Sequence, residues 1–386
     1  MKVERIEVFP VRLPTKAVLT LPRGPSRTLA EGKRIVLVKM TDVDGNIGWG
    51  EAGPSRRWSA ETTESCATSI REYLAPALLG HDVFDIAGAH AKMNRELATG
   101  MDPGQPIAKC ALDLALHDLL CRRLGISLQS WLGAKRLDRI RLARLVSAAT
   151  PEEAADLTRA GLAEGYEGFK VKVGHHKHLD LDIVRAVVET APGCYVWPDA
   201  NQGYSLDEAI RMARGLERLG VPLFEQPVAM SDVYAMKKLL SATAMTIGLD
   251  EAAIGIPFVI ELIRREAVEC LAIKVSKVGG IHYARQMCDL ALNAGLKLIG
   301  SGLQDAPIGF AASVHLFAAY GMVEPVDLNG PQFIAEDYLE SPFPIERMTA
   351  LVPASPGFGI AVDEAKLGRY ALGPETSRLN RSRRAS

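Results

Sequence analysis

Five charged side chains recur through the middle of the chain at a nearly constant interval. Lys172 ends the run Gly168-Phe-Lys-Val-Lys, and Asp199, Glu225, Asp250 and Lys274 each end a short apolar run further along. The steps between them are 27, 26, 25 and 24 residues, the length of one strand and its return helix. Each group should therefore reach the C-terminal end of a consecutive strand. Neighbouring strands lie ~4.8 Å apart, so three carboxylates on adjacent ends repel unless a proton or a cation intervenes. Three oxygens with room for water and substrate suit Mg²⁺, with Mn²⁺ as a substitute. Zinc fits less well, because no His or Cys stands on this ladder.

Lys170 and Lys172 are two apart and share a strand face, as do Asp199 and Asn201. A lysine beside a second lysine and a divalent cation is expected to have a lowered pKa and to act as a general base near neutral pH. Lys172 and Lys274 would stand on opposite sides of a bound substrate. That suits removal of a proton α to a carboxylate, whose enediolate product a cation stabilises. Gln304 and Asp305 read equally well as site residues or as a helix cap. Lys277 has the wrong parity for the inward face and reads as structural. His175, His176 and His178 read as a solvated loop, His117 as a packed core histidine, and Asp44 to Asn46 as a turn.

Elements must position these groups. From about 138 to 330, apolar runs near 139–147, 168–173, 194–199, 221–225, 245–250, 270–275, 296–300 and 323–328 alternate with helical stretches. Eight such units predict an α/β fold closed as a barrel. An open doubly wound sheet is the alternative, but no Gly-rich phosphate turn follows the first strand. Thr150 to Glu153 and Ser205 to Glu208 both fit a capping box. Residues 1–130 read as α+β: strands at Val3 to Leu13, Arg34 to Met40 and Ile47 to Glu51, then helices near 59–78, 83–98 and 106–124. The last helix is bounded by Pro106 and Gly125. The tail from Pro374 carries Arg378, Arg381, Arg383 and Arg384 and reads as a disordered solvated end.

Composition bounds the function class. Lys+Arg number 45 and Asp+Glu 46, an even balance that argues against nucleic-acid binding. No apolar run is long enough to span a bilayer, and no signal-peptide pattern opens the sequence. The six cysteines form no CxxC pair, which reads as reduced thiols in the cytoplasm.

Lys170-Val-Lys172, Asp199-Ala-Asn201, Glu225-Gln-Pro227, Asp250-Glu251, and Lys274 followed by Gly279-Gly280, taken together, resemble the enolase superfamily and its muconate-lactonizing-enzyme subgroup. Trp49-Gly-Glu51 and the segment Ala111 to Asp118 add to the likeness. The resemblance implies a modified (β/α)7β TIM-like barrel over 131–354, with an N-terminal α+β capping domain over 1–130 completed by 355–386. It implies Mg²⁺ on Asp199, Glu225 and Asp250. Lys172 and Lys274 would be the acid/base pair, with Lys170 tuning Lys172 or touching the substrate carboxylate. Asp327-Leu-Asn329 resembles the Asp-x-Asp with which dipeptide epimerases bind a substrate ammonium, with one Asp changed to Asn. Gln304-Asp305 departs from the Glu that many relatives carry. Arg23, Arg27, Arg56 and Arg57 could face a second substrate carboxylate, or be solvated loop charge.

The expectation is an isomerase acting on a small-molecule carboxylate: a racemase or epimerase of an amino-acid-derived acid first, a muconate-type cycloisomerase or o-succinylbenzoate-synthase-like lyase second. A carboxylate-binding pseudoenzyme is the non-catalytic alternative. A homo-oligomer is expected from the family, and specificity from the loops at 14–32 and 51–60.

Overall fold

The computed structural model describes residues 1–21, 24–25, 28–372 and 377–380. Strand Val3–Leu13 pairs antiparallel with Lys33–Asp42, which pairs with Ile47–Ala52. Asp42 shapes the turn between the last two: its carboxylate accepts hydrogen bonds from the backbone N–H of Asp44 and Asn46, both at 2.9 Å. Helix Pro106–Leu124 lies across this sheet. It begins on Pro106 and ends at Gly125, whose φ of 68° closes the last turn as only glycine does readily. Every side chain from Ile107 to Cys121 is buried. The contact is close because Gly50 has no side chain; a Cβ there would sit 1.8 Å from the Ala111 carbonyl oxygen.

The second layer is a parallel sheet of seven strands: Ala143–Val146, Gly168–Lys172, Tyr195–Asp199, Leu223–Glu225, Thr246–Leu249, Cys270–Ile273 and Lys297–Gly300. The eighth run is reduced to single bridges, Val326 to Leu142 on one side and Asp327 to Ser301 on the other. These join the last strand to the first and close the barrel. The interior is packed, with Ala143, Trp197, Leu223 and Cys270 forming one apolar layer. Among the described residues no helix is long and apolar enough to cross a membrane.

Three expectations needed correction. The run 139–147 is two strands: Arg139–Arg141 pairs antiparallel with Thr349–Leu351, and only Ala143–Val146 enters the barrel. Thr150 caps its helix through the Glu153 N–H, but Glu153 reaches back to the Ala149 N–H and closes no box on Thr150. Ser205 behaves as expected, its N–H donating to Glu208 at 2.8 Å. The basic tail is not wholly a disordered end, because Ser377–Asn380 adds an antiparallel strand beside Val3–Leu13. Arg381, Arg383 and Arg384 lie outside the described residues.

Candidate active site

Strand register explains why the charged ladder converges. Lys172 pairs with Asp199, and Asp199 with Glu225. Glu225 pairs with Gly248, so Asp250 projects two residues further along. Leu249 pairs with Leu271, which puts Asp250 level with Ala272 and Lys274 two residues beyond again. Each two-residue step keeps the side chain on the inward face and follows the stagger that closing a barrel demands. The turns behind these strands are strained. Asn201, Gln202, Gln226 and Gln304 have φ of 41°, 69°, 37° and 57°, a region non-glycine residues seldom adopt outside functional sites.

Asp199, Glu225 and Asp250 are fully buried, and each offers one carboxylate oxygen within 4.8 Å of the others. The donor set is oxygen only, which suits a hard divalent cation. Lysines pair with these acids. Lys170 Nζ lies 2.8 Å from Glu225, 2.8 Å from Asp327 and 3.0 Å from Asp199. Lys172 Nζ donates to Asp199 at 2.6 Å and to Asn201 at 2.8 Å. Lys274 Nζ donates to Asp250 at 2.5 Å.

The proton affinities follow from burial and these contacts. Burial alone would raise the Asp199 carboxyl, but Lys170 and Lys172 outweigh it and hold it at about 2. Asp250 is likewise held below the carboxylate range, by Lys274 and Lys277 against burial. Glu225 is pushed up to about 7 by burial and by Asp199 beside it. Burial would lower Lys170 and Lys274, yet the surrounding carboxylates raise both. Lys170 and Lys274 thus do not show the lowered pKa expected of a lysine here, because the acids face them directly.

Lys172, Lys274, Gln304, Asp327 and Asn329 line one small cavity with Leu19, Ser55, Trp58 and Leu145. Its free volume is about 30 Å³, enough for one water. Asn201 stands behind Lys172 and bonds Glu251 at 3.2 Å. Asp305 is not among the cavity residues: burial raises its carboxyl while Lys33 opposes, and it sits beside buried Glu51. At the start of helix Pro307–Tyr320 it is Glu51 that accepts from the Ala306 N–H, at 2.8 Å. Arg56 does not reach the cavity either. It is 57% exposed and pairs with Glu31 at 2.6 Å. Arg23 and Arg27 lie outside the described residues.

Sequence reasoning missed three residues. Lys277 donates to the Asp250 carbonyl at 2.5 Å, to its carboxylate at 2.9 Å and to the Ala272 carbonyl at 2.9 Å. Strand parity does not apply to it, because the strand ends at Ile273 and the chain turns back. Glu251 is buried behind Asn201 and is pushed up to about 7 by burial and Asp250. Trp58 lays its ring over Lys274, with Nζ 4.3 Å from the centroid. Trp58 lies in the loop at 51–60 from which specificity was expected, but the residue itself was not singled out.

Residues 6–133 match the N-terminal domain of mandelate racemase / muconate lactonizing enzyme, and residues 152–366 match the enolase C-terminal domain-like family. The chain belongs to the enolase superfamily. Within it the likeness is to the muconate-lactonizing-enzyme subgroup, and the relatives found there are isomerases. Chloromuconate cycloisomerase CbnB of Cupriavidus necator is 30% identical, over 96% of this chain and 99% of that one. Muconate cycloisomerase 1 of Acinetobacter baylyi is 29% identical, over 94% and 97%. The crystal structure of N-succinyl Arg/Lys racemase from Bacillus cereus superposes with a TM-score of 0.91 at 25% identity, covering 98% of this chain and 100% of that one.

Proposed function

We propose that this enolase-superfamily enzyme is a Mg²⁺-dependent racemase or epimerase of an amino-acid-derived carboxylate. The observation that carries the reading is the placement of Lys172 and Lys274. They stand at the ends of the second and sixth barrel strands, four places apart in a ring of eight, and line the same cavity. A planar enediolate held between them presents one face to each amine.

Asp199, Glu225 and Asp250 would hold the ion. When bound, the divalent cation supplies positive charge that stabilises the enediolate and weakens the acids' hold on the lysines, lowering their pKa. Lys172 then takes the α proton on one face and Lys274 delivers a proton on the other, with the roles reversed for the opposite enantiomer. Lys170 stays paired with Asp327 and keeps positive charge beside the carboxylate. Lys277 positions Asp250 by bonding both its backbone and its side chain. Leu19, Ser55 and Trp58 cover the cavity, so a substrate enters only when that cover lifts and the site closes dry behind it.

Cycloisomerisation of a muconate-like diacid is the second reading, favoured by the cycloisomerase relatives. The position of Arg56 counts against it, since Glu31 holds that guanidinium at the outer surface. A pseudoenzyme would have no need of the two opposed lysines. Solvent-deuterium exchange tests the proposal. With Mg²⁺ in D₂O, the enzyme should exchange the α proton of both enantiomers of its substrate. Lys172→Ala should lose exchange from one enantiomer and Lys274→Ala from the other, each by at least ~100-fold. Unchanged exchange in both variants would refute the assignment.

A further inference from the structure

We infer that Lys33 is a positioning residue for the reaction: its buried ammonium clasps the cover loop to the barrel and so sets where Trp58 stands over Lys274. Lys33 opens strand Lys33–Asp42 of the first layer and is 1% exposed, among the largest side chains fully buried in the molecule. Its Nζ donates to the Gly53 carbonyl at 3.2 Å and to the Leu303 carbonyl at 2.8 Å. These carbonyls belong to different layers. Gly53 begins the stretch that brings Ser55 and Trp58 over the cavity, whereas Leu303 follows the seventh barrel strand and lines that cavity beside Gln304. One ammonium thus joins the cover to the wall.

The path from Lys33 to Lys274 is short. Pro54 follows Gly53 and restricts the chain there. The Ser55 carbonyl then accepts from the Trp58 N–H at 2.8 Å and from the Ser59 N–H at 2.7 Å, which folds this stretch into one turn. Trp58 rides on that turn, with its ring centroid 4.3 Å from Lys274 Nζ. The far end is pinned as well. Glu61 accepts from the N–H groups of Ile107 and Ala108, at 2.8 and 2.9 Å, where helix Pro106–Leu124 begins. A stretch held at both ends places its side chain more closely than one held at a single end.

The competing role for Lys33 is that of a counter-ion. Glu51 and Asp305 are buried nearby, and Lys33 opposes the effect of burial on Asp305. A Cβ on Gly53 would lie 3.5 Å from Lys33 Nζ and 3.6 Å from Glu51 Oε1, so the charges meet beside Gly53. Two of the three ammonium donors nevertheless go to carbonyls, which need no counter-ion. The two roles are separable. Lys33→Met together with Asp305→Asn removes one charge of each sign, yet leaves both carbonyls without their shared donor.

The inference rests on the reading of Lys274 as an acid/base group, but its test needs no substrate. Fluorine NMR of the chain labelled with 5-fluorotryptophan reports Trp49, Trp58, Trp131 and Trp197, and Trp58→Phe identifies the Trp58 signal. In Lys33→Met that signal should move at least halfway to the position of free 5-fluorotryptophan, while those of Trp131 and Trp197 hold still. The double variant should show the same displacement, and it serves alone if Lys33→Met does not fold. An unmoved Trp58 signal in either variant overturns the inference; in the double variant it makes Lys33 a counter-ion only. Displacement of all the signals overturns it too, since Lys33 would then support the fold as a whole. Full α-proton exchange in Lys274→Ala refutes the acid/base reading instead, and with it the clasp's part in the reaction, whatever the Trp58 signal does.

Discussion

At the scale of residues, the site is a balance of buried charge. Three acids share one small volume, and four lysines answer them. An acid so placed without its lysine, or a lysine without its acid, leaves an uncompensated buried charge costing about 3–5 kcal/mol. Lys277 illustrates the point. Its three bonds run to Asp250 and Ala272, and burial holds its pKa below the usual lysine value. Lys277→Met should weaken divalent-cation binding by roughly tenfold, because the Asp250 carboxylate loses the group that aims it. A calorimetric titration with Mg²⁺ checks this, and unchanged affinity would show that Asp250 is held by its backbone alone.

At the scale of elements, the charged ladder was legible because strand and helix lengths vary little from unit to unit. Regular spacing revealed Lys172, Asp199, Glu225, Asp250 and Lys274. It could not reveal residues that reach the site from turns or from the other layer. Lys277 returns from a turn, and Trp58 arrives from a loop between the first sheet and its helices. The eighth strand was legible as an apolar run, though it makes only bridges. The split of 139–147 was not, since an apolar run does not say where pairing changes partner. The cap of helix Pro307–Tyr320 was not legible either: Glu51, more than 250 residues earlier, accepts from the Ala306 N–H. The layer contact at Gly50 gives a direct test. Gly50→Ala puts a methyl 1.8 Å from a backbone oxygen of helix Pro106–Leu124. It should cost about 3 kcal/mol in urea denaturation. A wild-type midpoint would show that helix and sheet are not so closely packed.

At the scale of the whole molecule, the two layers meet through Asp113 of helix Pro106–Leu124. Its Oδ2 accepts from the Ile281 N–H at 2.5 Å, at the start of the barrel helix that follows Lys274. The approach is tight enough to require glycine at 280, where a Cβ would lie 2.2 Å from that oxygen. His90 and His117 flank the same carboxylate at 2.7 and 3.3 Å. Burial would lower the His117 pKa, but Asp113 overrides it and raises it above the ordinary value of 6.5. A group bound more tightly to its proton in the folded state stabilises fully below its unfolded pKa. That contribution is lost as pH climbs through the higher folded value. Stability should therefore decline from about pH 6.5 upward, and His117→Gln should flatten that part of the profile. Thermal unfolding between pH 6 and 9 measures it, and an identical slope in the variant would remove His117 from the account. The layers are docked here so that the loop bearing Trp58 covers the barrel mouth, and the account turns on what that mouth holds. Titration with Mn²⁺ followed by electron paramagnetic resonance counts the bound ion directly. One ion per chain should bind to the wild type, and binding should fall at least tenfold in each of Asp199→Asn, Glu225→Gln and Asp250→Asn. Undiminished binding in those variants, or none in the wild type, would contradict it.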